Sequence, residues 1–179
     1  MTATTATTAP PGPTTFTKAQ PWISLVARLA LAAIWLVSGL LKVGSPQQSV
    51  MAVQAYELPL PSGLEHLVGW GLPWFEIALG LLLLAGLLTR PTAIVSALLL
   101  VLFIAGIISA WARGLTIDCG CFGGGGQVAP DETSYLPDLV RDVGFALLAG
   151  WLILFPRSKF SLDRFGEDEE FVVHDEENE

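Results

Sequence analysis

Charge is what this chain has least of. Of its 179 residues only 15% are Asp, Glu, Lys or Arg, against about 25% in a typical soluble domain. There are two cysteines and two histidines, too few for the four ligands of a structural zinc site. His66 and His174 lie far apart in the sequence. Without a cluster of Lys and Arg there is no footprint for nucleic acid. The sequence also has no Ser-His-Asp arrangement, no paired carboxylates and no nucleotide fingerprint. The glycine run Gly123–Gly126 is not a phosphate-binding loop, because no Lys-Ser/Thr follows and no strand precedes it.

What the chain has in abundance is apolar sequence: 52% hydrophobic residues and a mean hydropathy of +0.57. These residues fall in four blocks. Trp22–Leu41 is broken only by Arg28 and Leu67–Leu88 only by Glu76. Thr92–Ala112 is uncharged, and Leu136–Phe155 carries Asp138, Arg141 and Asp142 near its start. Each is roughly 20 residues, enough to cross a hydrocarbon core about 30 Å thick. Backbone groups there must be satisfied within the segment, so the blocks are expected to be helices. A soluble bundle would need a polar stripe on every helix, and Thr92–Ala112 has none.

The expected fold is therefore all-α: a four-helix transmembrane bundle with a disordered N-terminal tail and an acidic C-terminal tail. Residues 1–21 are rich in Thr, Ala and Pro, too polar to pack, and do not read as a signal peptide. Residues 22–157 form the membrane domain. Residues 158–179 form a solvated acidic cytoplasmic tail that carries most of the net charge of −8.

Basic residues near helix ends set orientation. With four alternating helices, Lys18, Arg90, Arg157, Lys159 and Arg164 share one side, and Lys42 and Arg113 the other. This bias predicts a multi-pass plasma-membrane protein with both termini in the cytoplasm. The loops 43–66 and 113–137 then face outward, the second of them carrying Cys119-Gly120-Cys121-Phe122-Gly123.

Two thiols one residue apart can join only in a very small ring. Such a ring departs from relaxed disulfide spacing and is easier to reduce. On the outer face a disulfide can also persist. Cys119 and Cys121 are therefore candidates for a redox pair. Cu(I) binding, which needs few ligands, and an inert bridge are the alternatives; no metal site is assigned. Glu76 lies about ten residues into its block, near mid-membrane, where an ionisable group suggests function. It is a candidate proton relay or acceptor contact, with Arg28 as its expected partner. Arg141 and Lys42, at the outer helix ends, are candidates to favour the thiolate.

From Arg28 to about Trp151 the sequence resembles the MauE/DoxX family of small bacterial four-helix membrane proteins, nearest the MauE branch. The matching pieces are Arg28, Ser38-Gly39-Leu40-Leu41-Lys42, Tyr56-Glu57-Leu58-Pro59, Leu72-Pro73-Trp74-Phe75-Glu76 with Gly80, Cys119-Gly120-Cys121-Phe122-Gly123, and Arg141-Asp142. The resemblance implies a redox-associated integral membrane protein. Proteins of the MauE type are linked to maturation of methylamine dehydrogenase, a disulfide-rich periplasmic enzyme, alongside a thioredoxin-like partner. Many relatives carry the domain without a methylamine pathway.

The reading that follows is a thiol–disulfide carrier working with the bilayer and an extracytoplasmic, thioredoxin-fold or other redox protein. Electrons taken from a membrane dithiol must leave through the bilayer, which makes a membrane quinone the acceptor to test. Two other classes stay open: a non-catalytic membrane anchor or assembly subunit of a redox complex, and a small-molecule or metal-ion transporter with Arg28 and Glu76 lining its path.

Overall fold

The structure, a computed structural model, describes residues 15–59, 61–120 and 124–162. The acidic run after Phe165, His174, Arg164 and Cys121 lie outside the described residues, as do the first fourteen residues of the expected N-terminal tail. The described chain is mostly helical. Its helices are α1 (Thr15–Val43), α2 (Pro46–Ala55), α3 (Ser62–Ala85), α4 (Thr89–Ala112) and α5 (Tyr135–Leu154). Between α4 and α5, strands β1 (Ile117–Asp118) and β2 (Gly126–Gln127) pair antiparallel, and a 3-10 turn spans Pro130–Glu132.

The four long helices fall where the apolar blocks predict. α1 packs along α3, and α4 along α5. Contacts of α1 with α5 and of α3 with α4 close the ring. The core is formed by residues such as Leu31, Trp35, Leu83, Leu100 and Leu152. Apolar residues also cover the outside. Leu98, Leu102, Leu147 and Leu154 are each more than 60% exposed, a surface that water would not tolerate but lipid would. Three helices are long and apolar enough to cross a membrane: Ala19–Val43 within α1, and the whole of α3 and α4.

Three local expectations change. First, the loop expected over 43–66 is not all loop. Pro46 occupies the first helical position, where its missing N–H costs nothing, and starts α2 against the N-terminal half of α3. At ten residues α2 is too short to show as an apolar block. Second, helix α1 begins at Thr15, so residues 15–21 belong to it and not to a tail. Third, the C-terminal tail does not begin at 158. Residues 155–162 fold back over the α3–α4 turn. There Ser161 donates to the Gly86 carbonyl at 2.6 Å, the Leu162 amide reaches Ala85 O, and Ser24 donates to Phe155 O at 2.9 Å.

Two glycines set the register of α1 on α3. A Cβ on Gly39 would lie 2.7 Å from both Pro73 O and an Ile77 side-chain carbon, and one on Gly80 would lie 2.7 Å from Leu36. Small residues at such crossings let helix backbones approach closely in a membrane. This close antiparallel fit decides which α1 residues meet Glu76.

Candidate functional site

Glu76 is fully buried. Opposite it on α1, Ser38 and Lys42 are one turn apart and therefore on the same face, with Gly39 between them allowing close approach. Lys42 Nζ donates to Glu76 Oε1 at 2.5 Å, and Ser38 Oγ donates to Oε2 at 2.9 Å. The Phe103 ring lies 5.6 Å from the Lys42 ammonium. Pro73, one turn before Glu76, lacks the N–H that would bond the carbonyl four residues earlier and so loosens α3 here. A buried charge is stable only when paired and hydrogen-bonded, and Glu76 meets both conditions through α1.

The expected Arg28–Glu76 pair is not formed; Lys42 takes that place. Arg28 stands about four turns before Lys42 on α1, roughly 20 Å along the axis. Its Nη2 donates to Phe160 O at 3.0 Å, and the guanidinium lies across Gly86. A Cβ at Gly86 would come within 1.9 Å of Nη1. Arg28 thus ties the folded-back segment to the α3–α4 turn, whose Gly86 has φ of +66°, a left-handed helix end suited to glycine.

At the end of the bundle where α1 and α4 finish, the loop that carries Cys119 is held from three sides. Tyr135 at the start of α5 donates to Leu115 O at 2.5 Å and accepts the Ile117 amide at 3.2 Å. Trp111 stacks on its ring. Tyr56, which follows α2, donates to Cys119 O at 3.4 Å, and its own carbonyl accepts Arg113 Nη2 at 2.6 Å. The Asp118 carboxylate accepts the amides of Gly120 (3.3 Å) and Gly125 (3.4 Å). Gly120 and Gly125 both have positive φ and pack on Ala52 of α2, where a Cβ on either would lie within 2.8 Å of the Ala52 methyl.

Arg141 meets the sulfur. Its Nη2 lies 3.7 Å from Cys119 Sγ, while Nη1 and Nε bind Asp138 (2.7 Å) and Asp142 (3.0 Å). A guanidinium against the sulfur favours thiolate over thiol; the two carboxylates fix its position and temper its charge. In a Cys121→Ser background at neutral pH, Arg141→Gln is expected to slow alkylation of Cys119 about tenfold, and Arg141→Lys to slow it less. The check is the second-order rate with a small maleimide.

Asp118, Cys119 and Asp138 also place one ligand atom each within 4.8 Å of one another. A cavity of about 360 Å3 reaches from Cys119 to Lys42, the partner of Glu76, and is also lined by Ser49, Tyr56 and Phe103 among others. Thus Lys42, Glu76, Arg141 and Cys119 gather in the half of the bundle that carries the α4–α5 loop, and Arg28 does not. Reading the residues alone missed Ser38, Tyr56 and Ser49 as parts of this region. Ser38 and Tyr56 were visible only as members of the short motifs quoted above, while Ser49 had no signal.

A helical membrane protein is the class these features define: apolar spans, an ion pair buried between two of them, and a cysteine loop over one end. The chain belongs to the family of methylamine utilisation protein MauE, whose model matches residues 20–155. It is similar to the methylamine utilization protein MauE of Paracoccus denitrificans, 32% identical over 107 residues. That match covers 59% of this chain and 57% of the relative, so the chain spans little more than half the length of that relative. No solved structure matches.

Proposed function

We propose that this chain is a multi-pass plasma-membrane protein that carries disulfides between an extracytoplasmic partner and an acceptor in the bilayer. In this reading α1, α3, α4 and α5 all cross, both termini are cytoplasmic, and the loop of Cys119 and Cys121 is outside. The outward residues of α5, Val140, Leu147 and Leu154, are well exposed and apolar, which supports a fourth crossing despite its charged start. Lys18, Arg90, Arg157 and Lys159 against Lys42 and Arg113 support the orientation.

The contact of Arg141 with Cys119 Sγ is the observation that carries the redox reading. The disulfide of Cys119 and Cys121 accepts two electrons and two protons from the dithiol of a thioredoxin-fold partner. The partner leaves oxidised, and the chain's own dithiol is then reoxidised from the membrane. Arg141 supports the thiolate in each exchange. Glu76 and Lys42 form a buried acid–base pair beside the cavity, placed to pass a proton. The family name suggests methylamine utilisation as a setting, with maturation of a disulfide-rich extracytoplasmic enzyme as the task.

The test is thiol trapping in intact cells with a membrane-impermeant alkylating reagent. Labelling of both cysteines only after mild reductant is expected. Labelling only after permeabilisation would contradict the orientation.

The Asp118–Cys119–Asp138 grouping favours a second reading, a bound metal ion. Arg141 against Cys119 and Asp138 opposes a cation there. Stoichiometric metal in the purified protein would support that reading over the carrier.

A further inference from the structure

We propose that the cavity between α1, α2, α3 and α4 is the acceptor site, and that it takes the ring of a membrane quinone. This rests on the carrier reading above. The volume, about 360 Å3, is at the small end of the roughly 300–1,000 Å3 typical of ligand sites, enough for a substituted six-membered ring. Its walls are almost wholly apolar, and Leu58, Val68 and Leu102 in its lining are exposed. The cavity therefore meets the apolar outer surface of the bundle, where a lipid-soluble molecule arrives. Phe103 and Tyr56 offer ring faces for a planar guest.

The polar groups are few and placed together. Ser49, on α2, is 8% exposed, and its Oγ has no hydrogen-bond partner among the described residues. A buried hydroxyl left unpaired costs about 1–3 kcal/mol, which a carbonyl oxygen in the cavity would relieve. Lys42 Nζ, held by Glu76, is a second donor on the lining, and Cys119 completes it. An acyl chain has no oxygen to give these donors, whereas a quinone carries two carbonyls on a flat apolar ring.

The chemistry balances. The Cys119 thiolate adds to the ring, forming a C–S bond. Cys121 then attacks the Cys119 sulfur, forming the S–S bond and breaking the C–S bond. The electron pair stays on the ring, which leaves as quinol. The two protons of the dithiol end on the two quinol oxygens, with Lys42 and Glu76 passing one of them. One quinone is consumed per disulfide formed.

The experiment uses the full chain in phosphatidylcholine nanodiscs with its cysteines oxidised, titrated with decylubiquinone and followed by intrinsic tryptophan fluorescence. Saturable binding at one quinone per chain is expected. Ser49→Ala, which leaves no unpaired group behind, should weaken it about five- to tenfold, the worth of one hydrogen bond. Leu72→Trp should abolish it by filling the cavity. Thermal unfolding without quinone checks that both variants fold, and if Leu72→Trp does not, Ser49→Ala decides. Non-saturable partitioning, or binding that ignores both substitutions, would overturn the site. Because the oxidised protein is titrated, the result is independent of whether the cysteines cycle. Binding with an inert disulfide would keep the site and remove the carrier; a cycling pair without binding would do the reverse.

Discussion

Glu76→Ala is expected to lower the stability of the protein in detergent or nanodiscs by about 3–5 kcal/mol, the cost of leaving one member of a buried ion pair without its counter-charge. The stranded group would be the Lys42 ammonium, 7% exposed, left with the Phe103 ring 5.6 Å away and no direct counter-ion among the described residues. Ser38 would lose its acceptor as well. Glu76→Gln should cost less, since the amide oxygen still accepts a bond from Lys42 or Ser38. The double variant Lys42→Met with Glu76→Ala should recover much of the loss, because neither member of the pair is left as a stranded charge. By contrast, Arg28→Met with Glu76→Ala should recover nothing, since Arg28 is at the other end of the bundle. Thermal unfolding of the four variants checks this order. Rescue by Arg28→Met would mean that the register of α1 on α3 is wrong.

The second large effect concerns the cysteines. A dithiol relay needs one sulfur to attack and the other to resolve, so Cys121→Ser is expected to abolish turnover and to trap Cys119 as a mixed disulfide with its partner. On a non-reducing gel of membranes this reads as a heavier, reductant-sensitive band. Cys119→Ser with Cys121→Ser should show no such band and no turnover. A membrane anchor whose cysteines are only a local clip gives the opposite result: no mixed disulfide, and full function in the double variant.

Much of the fold was legible because long uncharged runs such as Thr92–Ala112 leave a helix little alternative at membrane depth. The ends of α4 and α5 lie within a few residues of the blocks that announced them. The nearness of Arg141 to Cys119 was legible too, since alternating helices bring the loop before the fourth apolar block and the start of that block to one end. The partner of Glu76 was not. Arg28 and Lys42 are both basic residues of α1, and only the register set by Gly39 and Gly80 chooses between them. That register depends on sub-ångström fit between two backbones, which no hydropathy profile contains. The short α2 and the return of residues 155–162 were hidden for a different reason. Both are held by isolated contacts, such as Gly69 against Val50 and Ser161 against Gly86, and neither has the periodic pattern that announces an element. Ser49, the one unpaired hydroxyl of the cavity, lies on that unannounced helix.

The central claim is that Cys119 and Cys121 are a working couple and not a staple, and the most direct measurement is their reduction potential in the purified full chain. Equilibration with glutathione buffers, followed by thiol trapping, gives it. A working couple gives a two-electron transition well above the roughly −300 mV of structural disulfides, in the range of about −230 to −120 mV spanned by glutaredoxins and periplasmic oxidants. A potential below about −300 mV, or a pair that stays reduced in every buffer, would contradict that claim.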